Sequence, residues 1–250
     1  MLAFVVVQIA NALSLSCLLF LLSVGLTVIF GIMRVVNFAH GALFMSGAYV
    51  GYSLIGHMGS IWLSLIMVPL VVGAVGVAVE VVGLRRLYDR VHLYQFLYTF
   101  GIALILEEIV KMTWGVQPMS INLLQRTKTG MYARAAAENS EMVGALGVTD
   151  IRLRTYIFWL GACLAGLGGL LAGPLLSVFP EMGSKIIIDA FVVVIVGGLG
   201  SFTGSMLGSV IIGFAETFGN LFFPGLAMVS IYIVMAVVLI FRPRGLLGHD

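Results

Sequence analysis

The chain has 250 residues, of which 61% are hydrophobic and only 10% charged, with a net charge of +2. A soluble domain carries about 25% charged residues, so this chain has too little polar surface to cover itself. Its mean hydropathy of +1.14 places it in the bilayer. No basic patch interleaved with aromatics is present, which excludes a nucleic-acid partner.

The apolar runs are long and lack strict alternation, which selects helices over an outer-membrane barrel. The fold class is therefore all-α, a polytopic integral membrane protein. Cys17 and Cys163 lie in apolar segments, where a free cysteine acts as a small hydrophobe. Nothing points to a disulfide, a metal ligand set or a Ser/His/Asp constellation. No cofactor, metal or catalytic residue is expected.

In chain order the sequence predicts roughly seven or eight hydrophobic segments. Leu2–Ile32 is long enough for a tilted helix. Apolar from Leu2 and without a basic n-region, it reads as an uncleaved first helix rather than a signal peptide. Gly41–Ile55 is shorter, Ile61–Leu84 is a full span, and Tyr94–Trp114 contains Glu107, Glu108 and Lys111. After the polar stretch Arg126–Arg154 come Tyr156–Val178, Ile186–Leu199, Phe202–Phe223 and Leu226–Phe241. The expected organisation is one transmembrane domain over 1–250. It comprises an N-terminal membrane half (1–120), a polar loop (126–154), a C-terminal membrane half (155–241) and a tail (242–250).

Of 13 Lys and Arg, three lie in the loop 85–90, five in 126–154 and two near the C-terminus. Short basic loops stay cytoplasmic, so all three regions should share that side. Four apolar segments separate 126–154 from the tail, and the parity works. Only Tyr94–Trp114 separates 85–90 from 126–154, and there it fails. A re-entrant hairpin broken near Glu107–Glu108, an inverted C-terminal half, or a missing helix between about Ile121 and Leu124 would each account for it. The missing helix is favoured.

Arg34, Asn37 and His40 fall in one short break between two apolar runs. Polar groups near membrane depth are costly unless paired or facing water, which makes Asn37 and His40 candidates for a translocation pathway. His40 is read as a neutral hydrogen-bond donor fixing the turn. Glu216, within an apolar stretch, is the third pathway candidate. Glu80 with Arg85 and Arg86, and Glu107 and Glu108 with Lys111, read as local ion pairs. Asp189, early in its segment, is expected near the external surface. Gly197–Gly208 lacks the Lys of a phosphate loop, so the chain is not expected to bind ATP itself. Gly200, Gly204 and Gly208 form a small-residue face for helix packing, while Gly197 and Gly198 could break a helix. Gly161, Gly166, Gly168, Gly169 and Gly173 read as further close contacts.

Between Gly130 and Asp150, Met131, Ala135, Met142 and Leu146 alternate at helical spacing with Arg134, Glu138, Asn139 and Glu141. Such an amphipathic helix could dock on a soluble partner or lie among lipid headgroups. Periodicity alone leaves both open.

Four motifs in order carry a resemblance: Gly25–Gly41 with Asn-Phe-Ala-His-Gly, Ala135–Asn139 followed by Gly144–Asp150, Gly197–Gly204, and Phe241–Gly248. The chain resembles the smaller permease subunit of branched-chain amino acid ABC importers, the LivH type, over nearly its whole length. The resemblance implies a cytoplasmic coupling helix that docks an ATPase through Arg134, Ala135, Ala136, Glu138, Asn139, Gly144 and Gly147. It also implies a second permease subunit, cytoplasmic ATPase subunits, an external binding protein and a bacterial or archaeal inner membrane. Relatives carry an external loop and a further span where Met119–Asn122 runs into Leu123–Lys128. The expected function is import of branched-chain or related amino acids, with urea or short amides as the alternative within the family. A secondary transporter driven by an ion gradient, or a non-transporting shortened remnant, are the alternatives outside it.

Overall fold

The computed structural model describes residues 2–119, 150–222, 224 and 227–248. Eight α-helices run among them: α1 (Leu2–Met33), α2 (Ala39–Met58), α3 (Ile61–Val82), α4 (His92–Trp114), α5 (Asp150–Ala172), α6 (Met182–Gly197), α7 (Phe202–Phe222) and α8 (Ala227–Phe241). A 3-10 turn, Leu84–Leu87, joins α3 to the loop before α4. Within hydrocarbon every backbone N–H and C=O must find a partner inside the chain, so long apolar runs become helices. Five of the helices are long and apolar enough to cross a membrane: α1, α3, α4, α5 and α7.

Turn chemistry sets the helix ends. Gly59, at φ +65°, stops α2, and the Ser60 hydroxyl accepts from the Leu63 N–H at 3.4 Å to start α3. α4 runs unbroken through Glu107 and Glu108, which removes the re-entrant hairpin. α5 is displaced from its expected place: it starts at Asp150, inside the stretch read as polar loop, and stops at Ala172 just before Pro174.

The helices pack through small residues. On α5, Gly166 faces Gly47 of α2, Gly169 meets the Phe44 carbonyl, and Ala162 covers Gly76 of α3. Gly204 and Gly208 of α7 lie against the backbone of Gly197 and Val193 on α6, as the small-residue face predicted. Gly200 departs from that expectation. It sits outside α7, in the turn after α6, with φ +80° beside Gly198 at +110°, and touches Gly31 of α1. The same turn receives the C-terminal tail, where the Leu246 and Leu247 N–H groups donate to Val196 and Gly197 carbonyls at 2.8 and 2.9 Å. Gly173 lies in the turn after α5.

These contacts give the bundle two ends. The end of α1, the turn after α6 and the tail meet at one. Ile29, Met33, Val79, Leu84, Ile157 and Phe158 join the ends of α1 and α3 to the start of α5 there. Gln95, early in α4, donates to the Leu87 carbonyl at 2.9 Å at this same end. Arg34, Arg85, Arg86, Arg90, Arg154, Arg242 and Arg244 all belong to it, whereas Lys111 and Lys185 lie towards the opposite end. α4 and α5 both leave from the basic end. Met119, however, is bonded to Val178 at the far end through two backbone bonds of 2.8 Å. Among the described residues, Met119 thus lies on one face of the bundle and Asp150 on the other.

Replacing Gly204 by Leu should cost about 2–3 kcal/mol or more, because its Cβ would collide with the Gly197 carbonyl. Gly101→Ala, with open space around it, should be neutral or slightly stabilising. Thermal unfolding in detergent, read by size-exclusion fluorescence, checks the pair.

Candidate functional site

Where α1 ends, Arg34 adopts φ +53° while its N–H still donates to Phe30 at 2.8 Å. A non-glycine residue rarely occupies this region, so the chain is turned sharply here. Residues 34–38 then run back into the bundle before α2 begins at Ala39. Depth follows from one bond: His40 Nε2 donates to the Leu22 carbonyl at 3.1 Å. Leu22 lies eleven residues before the end of α1, about 16 Å along a helix. The start of α2 is therefore deep within the bundle. This confirms His40 as a hydrogen-bonding group that holds the turn to α1.

The break fits because side chains are missing around it. A Cβ on Gly25 would come within 2.9 Å of the His40 ring and 3.0 Å of the Gly161 carbonyl. Thr99 of α4 reaches this segment, its hydroxyl accepting from the Phe38 N–H at 3.3 Å and donating to the Phe96 carbonyl at 3.1 Å, with the Val36 carbonyl at 3.4 Å. The Phe38 ring packs among Phe96 (4.8 Å) and Phe191 (5.0 Å), joining α4 to α6.

Asn37 is fully buried, yet among the described residues neither its Oδ1 nor its Nδ2 has a hydrogen-bond partner. His40 is equally buried, and its Nδ1 is also unpartnered. Since Nε2 donates to a carbonyl, the neutral ring leaves Nδ1 as an acceptor. The break thus presents a free amide donor and two free acceptors in an apolar surround. Each such group costs about 1–3 kcal/mol if left unpaired. The arrangement suits a small guest carrying both donors and acceptors, such as water, an amide or an amino-acid zwitterion.

Glu216 of α7 does not join this group. One of its carboxylate oxygens is buried without a partner, and it lies within electrostatic reach of Asp189 and Lys185 of α6. Asp189 is not at the surface as expected but 7% exposed, because α6 starts at Met182 and carries it inward among its neighbours. At the far end, Lys111 pairs with Glu107 (2.9 Å) and Glu108 (3.7 Å), as the spacing predicted, and also reaches Glu181 at 3.6 Å. Ser184 donates to Glu107 at 3.1 Å, so the cluster ties α4 to the start of α6. No sequence signal marks Thr99, or Tyr49, whose buried hydroxyl lacks a partner among the described residues. Arg134, Ala135, Ala136, Glu138, Asn139, Gly144 and Gly147 lie outside the described residues.

His40→Ala should destabilise the fold by about 2 kcal/mol, losing the Leu22 bond and opening a cavity beside Gly25. Asn37→Leu, of similar size, should leave stability unchanged or raise it, because it removes two unpaired groups. Chemical or thermal unfolding of the two variants distinguishes a structural residue from one held for a guest.

The family model of the branched-chain amino acid transport system permease component matches residues 8–121 and 118–241. The match divides where the helix parity fails. The chain is similar to the high-affinity branched-chain amino acid transport system permease protein BraD of Pseudomonas aeruginosa, 27% identical over 292 residues, covering 97% of this chain and 95% of that protein. It is similar to LivH of Escherichia coli, of the same description, at 25% over 292 residues with the same coverage. The probable branched-chain amino acid transport permease protein LivH of Methanocaldococcus jannaschii is 28% identical over 289 residues, covering 96% of this chain and 91% of that protein. Each alignment is longer than the 250-residue chain, so the relatives hold residues with no counterpart here. No solved structure matches. A match over almost the whole chain, on a bundle of apolar helices, places this protein in the family of permease components of branched-chain amino acid transport systems.

Proposed function

We propose that this chain is one membrane-spanning subunit of an ATP-driven importer for branched-chain or related amino acids. Its basic end faces the cytoplasm, as short basic loops do, and it sits in a bacterial or archaeal inner membrane. A second permease subunit completes the pathway, an external binding protein delivers substrate, and separate ATPase subunits hydrolyse ATP. The chain itself is non-catalytic. Arg134, Ala135, Ala136, Glu138, Asn139, Gly144 and Gly147 form the surface that the ATPase engages.

The observation that carries the transport reading is the deep break before α2, with Asn37 and His40 unpartnered. Irregular backbone at membrane depth is tolerated where it is buried in protein or lines a cavity, and in transporters it marks the substrate path. A free donor beside free acceptors suits a zwitterion, and it suits urea or a short amide as well. The second reading, an ion-gradient-driven transporter, draws on Asp189, which supplies Glu216 with a second buried acid in electrostatic reach. Gly197, Gly198, Gly200, Gly204 and Gly208 serve packing and turns, not conduction.

Uptake of labelled leucine distinguishes them in cells lacking their own branched-chain importers and expressing this chain with the companion subunits from its own genome. Uptake should vanish when the ATPase phosphate-loop lysine is replaced, and fall at least about tenfold in Asn37→Leu, a loss of about 1.4 kcal/mol of coupling. Uptake that persists without the ATPase and collapses with a protonophore would establish the second reading instead.

A further inference from the structure

Glu80 of α3 is fully buried although it lies at the basic end of the bundle. Its carboxylate accepts from Arg85 Nε at 3.2 Å and Nη2 at 2.9 Å, from the Tyr88 hydroxyl at 2.7 Å and from the Thr155 hydroxyl at 3.0 Å. Arg85 Nη2 also donates to Thr155 Oγ1 at 2.7 Å, and the Arg154 guanidinium lies 5.0 Å over the Tyr88 ring. One carboxylate thus gathers three elements: the last turn of α3, the 3-10 turn after it, and the start of α5. Burial first, and then the bond to Glu80, push the Tyr88 phenol up, so it stays a donor at physiological pH.

Below this knot glycines of α3 receive side chains of α5 at close range. Gly76 lies on Ala162, and Gly73 on Cys163 and Trp159. Stability alone is a weak reason for such an arrangement, because desolvation largely offsets the attraction within a buried ion pair. What the network does is fix geometry, and it fixes the start of the helix that follows residues 120–149.

We infer that Glu80 is a positioning residue: through Arg85, Tyr88 and Thr155 it makes α3 and α5 move as one body when a cytoplasmic partner displaces the chain ahead of α5. The inference rests on the importer reading above, in which that partner is the ATPase. It goes beyond the local ion pair expected from the sequence, because Thr155 extends the pair to α5 and Tyr88 adds a bond from the end of the 3-10 turn.

Two variants test it. Glu80→Gln keeps the size and removes the charge, whereas Thr155→Val removes the hydroxyl that links α5 to Glu80 and Arg85. In nanodiscs, the complex of this chain with its companion permease and ATPase is assayed for ATP hydrolysis with and without leucine-loaded binding protein. Assembly and unstimulated hydrolysis should stay within about twofold of wild type, while stimulation falls about tenfold in Glu80→Gln and severalfold in Thr155→Val, within the usual range of coupling energies. Full stimulation in both variants overturns the inference, as does loss of assembly in Thr155→Val, which would make the link merely structural. A partner-free arm uses spin labels at Val82 and Tyr156, both exposed, in chain lacking the native cysteines. A narrow distance distribution in the parent that broadens in both variants supports the link, and an unchanged one overturns it. Failure of the parent chain to bind any ATPase would instead remove the importer reading, leaving the spin-label result to decide the mechanical link.

Discussion

A backbone polar group inside hydrocarbon has no water to turn to, and the break between α1 and α2 exposes several such groups at depth. The rest of the bundle is arranged around their satisfaction. Thr99 reaches from α4 to the segment, Leu22 of α1 accepts the His40 ring, and Gly25 and Gly161 leave the slot in which that ring lies. α5 closes the slot from the other side, which explains why its small residues face three different helices. Among the described residues, the Asn37 amide and His40 Nδ1 are left without partners in this otherwise satisfied break.

The same constraint operates at the basic end. The last carbonyls of α6 find no partner within their own helix, and Gly198 turns the chain away at once. The tail supplies the missing donors, Leu246 and Leu247, and can approach only because Gly245 and Gly198 carry no side chains. Two separated glycine-rich motifs are therefore two halves of one joint. That joint lies against Gly31, at the end of the helix whose continuation forms the break. A displacement of the basic end has a short physical route to Asn37.

Much of this was legible in the sequence. Long apolar runs located the helices, since in lipid hydropathy and backbone satisfaction select the same segments. The small-residue periodicity of Gly204 and Gly208 located a helix contact, and Glu107 with Lys111 a local pair. Charge parity located the place where the family match divides. Depth was not legible. A five-residue break reads identically whether it lies at the surface or about 16 Å inside, and the His40–Leu22 bond shows which. For the same reason Asp189 was misplaced: its distance from the start of a run says nothing about where that run sits in the bundle. Thr99 and Thr155 carried no signal, because a threonine in an apolar stretch is ordinary until its partner on another helix is known.

If the buried break at Asn37 is the substrate path proposed above, it must open to water during transport. The most direct measurement replaces Cys17 and Cys163, introduces Ala39→Cys, buried two residues from an intact Asn37, and follows its modification by a small membrane-impermeant thiol reagent in the reconstituted complex. Negligible reaction is expected at rest, with reaction during ATP turnover and protection when leucine is supplied. Reaction that proceeds equally with and without ATP, or that never occurs in a complex that transports, would contradict that reading.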